Sequence, residues 1–284
     1  MASPPVLSRT LRYGGKADEA RVSARAATLA AAVPLVFLHV NHQPSVSLPV
    51  GGTSVDVTLA DLAILAVALT AVASGLRRGL RPTSVRYGRY RVLDVGCGVK
   101  PYLPFFEPFA DAFVGVDVAD NPHADVRGRV EDLPVEDGLF EIVLCNQVLE
   151  HCDDPTHAVR ELRRVVAPGE CVLASTHGVQ VYHPAPEDLW RWTHAGRDRL
   201  FSQNGDWASL SVRPGSGTTA CLGMLLAHYV DLVAQKARAR VLGKPLVAAL
   251  NLGARGLDRR VPSLRELIPG SLIATCHVVA EAPR

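Results

Sequence analysis

The sequence lacks the cysteine patterns, charge blocks and leader features that define several large classes of protein. Its six cysteines include no Cys-x-x-Cys pair and no Cys/His group with the spacing of zinc ligands, so we predict no metal site. Several of them lie in apolar runs, which indicates reduced thiols and a cytoplasmic catalytic domain. The formal net charge is only +2, without a basic run between aromatics, so we expect no nucleic-acid partner. The first residues show no succession of basic stretch, apolar core and cleavage site, and a cleaved signal peptide is not expected.

Length and composition describe a globular chain with two regions. The chain has 284 residues, of which 48% are hydrophobic and 20% charged, enough for one or two domains with a full core. Residues 1–88 are rich in alanine, valine and leucine, which predicts an N-terminal hydrophobic helical region. Residues 89–284 are predicted to form the catalytic domain, with a helical insertion at about 219–260.

The N-terminal region contains two apolar stretches, Ala26 to Val40 and Val57 to Leu76. Basic residues flank both, so a hairpin through residues 26–76 would cross a membrane with both ends in the cytoplasm and hold the domain at its inner face. Pro34 in the first stretch and Asp61 in the second favour instead a helical cap that packs on the second domain. Both interpretations remain open from the sequence. Val55 to Thr58 is a candidate short strand.

From Arg89 onward, short apolar runs alternate with helical patterns. The predicted strands are Val92–Val95, Phe113–Val116, Glu141–Cys145, Glu170–Ser175 and a last strand within Ser271–Ala280. A helix is predicted over Pro155–Val166, because acids precede it and Pro168-Gly169 follows it. Two further helical patterns, Ala220–Val241 and Pro245–Leu257, form the predicted insertion. This order predicts an α/β fold whose parallel sheet has helices on both faces.

The sharpest local signal is a glycine turn between two acids. Asp94, Gly96 and Gly98 end the first strand, and Asp117 ends the second. A dinucleotide site would need a third glycine, and an acid at position 94 would repel a pyrophosphate. The same acid suits a ligand with an amino group and a sulfonium. The turn therefore favours S-adenosylmethionine over NAD as the cofactor.

These residues, with the segments that follow them, resemble the class I S-adenosylmethionine-dependent methyltransferases, in particular the small-domain type with a Leu-Glu-His motif. The matching segments are Asp94–Gly98, Asp117, Val130–Pro134, Asn146–His151 and Arg164–Gly169. The resemblance implies a Rossmann-like seven-stranded methyltransferase sheet. It also implies that the cofactor is held by Asp94, Gly96, Cys97, Gly98, Asp117, Val118, Val130, Glu131, Asn146, Gln147 and His151. Two positions depart from the family pattern: Lys100-Pro101 ends the first motif, and Arg129 stands where an acid often contacts the adenine.

A second constellation, from Tyr182 to Thr193, follows the predicted strand Glu170–Ser175. It offers His183 and Asp188 as general bases, with His151 as the candidate if both fail. Trp190, Arg191 and Trp192 provide aromatic faces and a hydrogen-bonding fork for an acceptor, all within this loop. The alternative is that the tryptophans join the core at the start of a helix, and that His151 only orders its turn.

The predicted function is transfer of a methyl group from S-adenosylmethionine to a hydroxyl of a glycan, glycolipid or natural product. The hydrophobic first region and the apolar helices after Ala220 favour a greasy or membrane-attached acceptor. A soluble small-molecule acceptor stays open. So does a non-catalytic binding or scaffolding protein that has kept the cofactor fold.

Overall fold

The computed structural model describes residues 45–50, 53–58, 90–107, 110–118, 121–182, 187–238 and 240–284. The stretch Ala26 to Val40, and Val57 to Leu76 beyond Thr58, lie outside these residues, as does the predicted boundary at residue 88. Within the described ranges, no helix is both long and apolar enough to cross a membrane.

A small antiparallel hairpin lies in the N-terminal region. Strand β1 (Ser45–Val50) pairs with β2 (Thr53–Thr58), with Val46 opposite Val57 and Val50 opposite Thr53. The strand predicted at Val55–Thr58 is thereby confirmed, two residues longer at its start. Alternation of apolar and polar residues in both strands suits this pairing.

The main sheet has seven strands, and its order along the sheet is β5-β4-β3-β6-β7-β9-β8. Its strands are β3 (Tyr90–Val95), β4 (Ala110–Asp117), β5 (Val126–Arg127), β6 (Phe140–Asn146), β7 (Val166–His177), β8 (Ser209–Pro214) and β9 (Thr275–Glu281). Strands β3 to β7 pair in parallel, whereas β9 runs antiparallel to both β7 and β8. The seven-stranded Rossmann-like sheet is thus confirmed, but as a mixed rather than a fully parallel sheet.

Helices cover the sheet on both faces. Helix α1 (Leu103–Phe106) places Phe106 with Val92, Leu144 and Leu173 on one face. Helices α2 (Pro155–Val165) and α3 (His194–Asn204) place Leu162 and Phe201 on the other. Because alternate residues of the central strands join opposite clusters, the strands are buried on both sides.

Helix α2 begins at the predicted Pro155 and ends at Val165, one residue before the predicted end. The Asp154 side chain accepts hydrogen bonds from the backbone N–H groups of Thr156 and His157, which caps the first turn. The chain then passes directly into β7 at Val166. A short 3-10 turn, Leu149–His151, joins β6 to this helix.

Two long helices lie between β8 and β9: α4 (Thr218–Lys236) and α5 (Arg240–Arg260). Two helices were predicted here, over Ala220–Val241 and Pro245–Leu257; the first ends five residues earlier than predicted and the second begins five residues earlier. Since β8 ends and β9 starts at the same edge of the sheet, the helices begin and end there, and β9 must run back antiparallel to β8. This is the edge formed by the carboxyl ends of the parallel strands, where ligands bind in open α/β sheets.

Candidate active site

The glycine turn after β3 is built by two residues in the left-handed region. Gly96 and Gly98 have φ values of +69° and +49°, which side chains rarely adopt. Gly96 lies against Val148, since a Cβ placed on it would come within 2.3 Å of Val148 Cγ2. A Cβ on the exposed Gly98 would meet nothing within 4 Å. The first glycine is therefore needed for packing, and the second leaves open space at the edge of the sheet.

Asp117, the last residue of β4, ties this turn to the neighbouring strand. Its Oδ2 accepts hydrogen bonds from the Gly98 N–H at 3.0 Å and from Asn121 Nδ2 at 2.9 Å. Asn121 Nδ2 also donates to the Gly98 carbonyl at 2.6 Å, and the Val118 N–H donates to Asp117 Oδ1 at 2.7 Å. The sequence interpretation missed Asn121. The signal was a turn-forming asparagine four residues after the acid.

Asp94 and Val118 give this edge its charge and its apolar surface. Asp94 is 1% exposed near the end of β3, one strand from Asp117. Val118 is 46% exposed beside Asp117. A carboxylate beneath the turn and an open apolar surface next to a second acid suit a cationic nucleoside.

The Lys100-Pro101 ending of the first motif has a structural explanation. Lys100 is itself in the left-handed region, with φ of +54°, and its ammonium forms an ion pair with Asp125. Asp125 also accepts the Gly115 N–H at 2.7 Å. The lysine stem crosses Gly115, where a Cβ would lie 2.5 Å from Lys100 Cε. An ion pair to the loop before β5 thus holds the end of the turn, in place of another glycine.

Two polar residues at the end of β6 face the same edge. Asn146 is 8% exposed, and neither polar atom of its side chain has a hydrogen-bond partner among the described residues. Gln147 has φ of +55° and donates from Nε2 to Ser175 Oγ at 2.8 Å. A buried amide without partners costs free energy unless a ligand or water satisfies it. Left-handed backbone at a non-glycine residue likewise concentrates at functional sites.

The predicted adenine segment is held to the Leu-Glu-His turn. The Glu131 carboxylate accepts the Asp153 N–H at 2.8 Å, and Arg129 bridges Glu131 at 3.3 Å and Asp153 at 2.6 Å. Val130 beside them is 4% exposed and belongs to the core. Arg129 thus fastens one side of the site through two carboxylates, which explains the departure from the family pattern.

Glu150 and His151 point in different directions. Glu150 is fully buried, where its carboxylate accepts the Thr176 hydroxyl at 2.6 Å and lies 3.2 Å from His177 Nε2. Burial raises the pKa of Glu150. His151 is half-buried, and its Nδ1 hydrogen-bonds the Glu187 backbone carbonyl. A carbonyl only accepts, so Nδ1 carries the proton and the neutral ring has its lone pair on Nε2.

The loop that follows β7 lies against this turn. The N–H groups of Leu189 and Trp190 donate to the Glu150 carbonyl, and Trp190 Nε1 donates to the Cys152 carbonyl at 2.8 Å. Trp190 and Trp192 stack at 6.0 Å between centroids. Trp190 remains 40% exposed, whereas Trp192 packs partly against the core. Both tryptophans precede helix α3 instead of lying within it.

Asp188 is part of an ion pair. It binds Arg191 through both carboxylate oxygens, with one contact at 2.7 Å, and Arg191 also donates to the Val181 carbonyl at 3.0 Å. The guanidinium thus engages both oxygens of this predicted base. Helix α3 then starts at Thr193, whose hydroxyl caps the Gly196 N–H. The other predicted base, His183, lies outside the described residues.

All six cysteines are free, as the sequence predicted. Burial, followed by the negative charges of Asp94 and Asp117, raises the pKa of the Cys97 thiol to about 12. Burial likewise raises the pKa of the Cys152 thiol to about 12. Neither thiol is a nucleophile at neutral pH, because the thiolate is the reactive form. In the part of the chain that the structure describes, no group of metal-ligating side chains converges on a site.

Comparison with known proteins supplies a family. A family model described as a methyltransferase domain matches residues 61–210. The uncharacterized methyltransferase YcgJ of Bacillus subtilis is 32% identical over 114 residues, which cover 35% of this chain and 43% of that protein. The ubiquinone biosynthesis O-methyltransferase of Bordetella avium is 32% identical over 101 residues, covering 30% of this chain and 42% of the relative. The chain thus spans less than half the length of these curated relatives. The crystal structure of YcgJ superposes with a TM-score of 0.41 at 17% identity, over 75% of this chain and 99% of that one.

Proposed function

This chain belongs to the methyltransferase-domain family, and from that membership we propose that it transfers a methyl group from S-adenosylmethionine to a hydroxyl of a glycan, glycolipid or natural product. The observation that carries the proposal is the bond between the Gly98 N–H and Asp117 Oδ2, 3.0 Å long. It joins the open glycine turn to the acid expected to hold a ribose. The loop between β7 and α3, residues 178–193, is called the acceptor loop because we assign the acceptor to it.

The residues at the sheet edge fit the cofactor. The Asp94 carboxylate suits the positive charge of the amino group and sulfonium, and Asp117 suits the ribose hydroxyls. Asn146, an amide whose polar atoms have no partner among the described residues, offers both a donor and an acceptor. Bound S-adenosylmethionine supplies an electrophilic methyl group with a neutral thioether leaving group. The protein then has to align the acceptor, exclude water and remove one proton.

For that proton, the contacts favour His151 among the three candidates. Its Nδ1 bond to the Glu187 carbonyl fixes the ring and leaves Nε2 as the basic nitrogen. The turn that bears it follows Val148, which packs against Gly96 of the glycine turn. Asp188 is engaged by Arg191 and is proposed to shape the acceptor loop. His183 stays a candidate on the strength of its sequence position.

Exposed aromatic surface supports a sugar or another ring-bearing acceptor. Tyr182 is 79% and Trp190 40% exposed, and both belong to the acceptor loop. Aromatic faces bury the apolar faces of such ligands at small entropic cost. The proposal places the reaction in the cytoplasm, at the inner face of a membrane when the acceptor is lipid-linked.

The test is methyl transfer by the full chain from isotopically labelled S-adenosylmethionine into glycan, glycolipid and small hydroxyl-bearing acceptors. We expect label in one acceptor class, and His151→Asn to lower kcat by about 10²–10⁴. Asp188→Asn should raise KM more than it lowers kcat. If His151→Asn keeps full turnover while His183→Ala loses it, the base is His183. If the chain binds cofactor but labels nothing, a binding or scaffolding protein becomes the better account.

A further inference from the structure

Helix α4 distributes its side chains in the reverse of the usual pattern. Its buried residues are all small: Cys221, Gly223, Ala227 and Ala234. Five large apolar residues point outward: Leu222 is 45%, Leu226 52%, Tyr229 65%, Leu232 50% and Val233 48% exposed. The other three, Met224, Leu225 and Val230, are half-buried. A helix that packs on a soluble core normally buries its large apolar residues and exposes polar ones. The outer face of α4 is therefore unexplained by the packing of this domain.

The small residues serve close contact with α5. A Cβ on Gly223 would lie 2.5 Å from Ala254 Cβ, and a Cβ on Gly243 would lie 2.7 Å from Ala234 Cβ. Helices this close leave no room for larger side chains between them. Helix α5 also exposes large apolar residues, namely Leu246, Leu252 and Leu257, each 46% to 52% exposed. Of the seventeen exposed large apolar residues in the described chain, eight lie on these two helices and three more on the segment from Val261 to Ile268 that follows α5.

The same segment is strongly basic. Residues 218–266 contain eight lysines and arginines but only three acids, although the whole chain has a formal net charge of +2. One of the three acids, Asp258, is 4% exposed and accepts the N–H groups of Thr219 and Ala220. Four of the cations are exposed: Lys236, Arg238, Arg260 and Arg265. Positive charge thus borders the apolar surface.

We propose that α4 and α5 form a hairpin that docks on an anionic lipid surface, with its outer apolar side chains in the headgroup boundary. Apolar residues flanked by lysine and arginine are the composition that binds such surfaces. Neither helix is apolar enough to cross a membrane, so the hairpin lies in the plane of the interface. A second copy bound through the same face would bring like charges together, which disfavours a dimer there.

The docking surface adjoins the candidate active site. The Leu272 N–H donates to Thr218 Oγ1 at the start of α4, and the next carbonyl, that of Ile273, accepts the Val179 N–H at 2.7 Å. Val179 follows β7 at the start of the acceptor loop. A docked hairpin therefore places the carboxyl edge of the sheet close to the lipid. This part rests on the proposed function and would give a lipid-linked acceptor direct access, whereas docking itself does not depend on catalysis.

Flotation of the full chain with vesicles tests the proposal directly. We expect binding to phosphatidylcholine vesicles that contain phosphatidylglycerol, weaker binding without it, and loss of binding as NaCl is raised. Leu226→Gln, Tyr229→Gln and Val233→Gln combined should lower the fraction bound more than tenfold. These side chains are already exposed, so the melting temperature and S-adenosylhomocysteine binding should not change.

A matched pair of charge variants locates the electrostatic contribution. Arg238→Gln with Arg260→Gln removes two cations from the hairpin and should weaken binding at least fivefold. Arg160→Gln with Arg199→Gln removes two exposed cations from α2 and α3 and should leave binding unchanged. If both double variants lost vesicle binding equally, only the net charge of the protein would matter, and the proposal would be overturned.

Other outcomes also decide against it. Undiminished vesicle binding by the triple variant would assign the membrane contact to residues outside the hairpin. A wild-type dimer that becomes monomeric in the triple variant, without vesicle binding by either, would make a second copy the occupant. Because cofactor binding is measured on the same samples, failure to dock is distinguishable from failure of the proposed function.

Discussion

The two glycines of the turn after β3 predict different consequences for the same substitution. At Gly96 an alanine Cβ would lie 2.3 Å from Val148 Cγ2, whereas at Gly98 it would meet no atom within 4 Å. Both residues have positive φ, so each alanine also carries the cost of a left-handed backbone. Gly96→Ala therefore tests folding, and Gly98→Ala tests the open space that we assign to the cofactor.

The magnitudes separate the two variants. A left-handed non-glycine residue costs about 1–2 kcal/mol, which is all that Gly98→Ala should lose in stability. Gly96→Ala adds an overpacking cost of about 1–3 kcal/mol, for a total of about 2–5 kcal/mol. At about 2–4 °C per kcal/mol, the melting temperature should fall by about 2–8 °C in Gly98→Ala and by up to about 20 °C in Gly96→Ala.

Calorimetric titration with S-adenosylhomocysteine and thermal melting of the same samples provide the assay. Gly98→Ala should weaken cofactor binding by more than tenfold while the protein stays folded. Gly96→Ala combined with Val148→Ala should recover much of the lost stability, because the second change removes the clashing methyl group. The reasoning is refuted if Gly98→Ala binds the cofactor within twofold of wild type.

Three further predictions concern the surroundings of the site. Burial lowers the pKa of His277 to about 4 from 6.5, so its contribution to stability is present above pH 6.5 and is lost as the pH falls towards 4. When the pH is lowered from 8 to 5, the free energy of unfolding in urea should fall by about 2 kcal/mol more in wild type than in His277→Phe. The control His123→Gln should lose as much as wild type. Lys100→Met breaks the ion pair with Asp125 and should lower stability by no more than about 1 kcal/mol; a larger loss in urea unfolding would contradict the limited role of this partly exposed pair. Asn146→Ala should change stability by less than about 1 kcal/mol but weaken S-adenosylhomocysteine binding about tenfold in calorimetry; unchanged affinity would remove Asn146 from the site.

Five strands of the main sheet (β3, β4, β6, β7 and β9) and helix α2 followed from local signals in this sequence, whereas β5 and β8 were not predicted individually. Strand β3 and the glycine turn were readable because an apolar run, an acid and two glycines follow one another. Helix α2 was readable because Asp154 caps it and Pro168-Gly169 lies just beyond its end. The antiparallel direction of β9 could not be predicted from the sequence, because it is set by the place where the insertion returns to the sheet.

The contacts around the site needed three dimensions. The bonds from Asn121 to Gly98 and from Lys100 to Asp125 join residues about twenty-five positions apart, and no local sequence pattern predicts these pairings. The engagement of Asp188 by Arg191 was hidden because the same residues also suit a free base and a free hydrogen-bonding fork. The outward position of the large apolar residues of α4 could not be predicted either. The sequence of a helix rich in alanine and leucine does not show which of its faces packs on α5.

The most direct test of the central claim is calorimetric titration of the full chain with S-adenosylhomocysteine and, separately, with NAD. We expect one molecule of S-adenosylhomocysteine to bind per chain with Kd below about 1 mM, and no heat from NAD. Asp94 beneath the turn and the missing third glycine are the reasons for that preference. Binding of NAD in its place, or no binding of S-adenosylhomocysteine at millimolar concentration, would contradict the assignment of this sheet edge as a methyl-donor site.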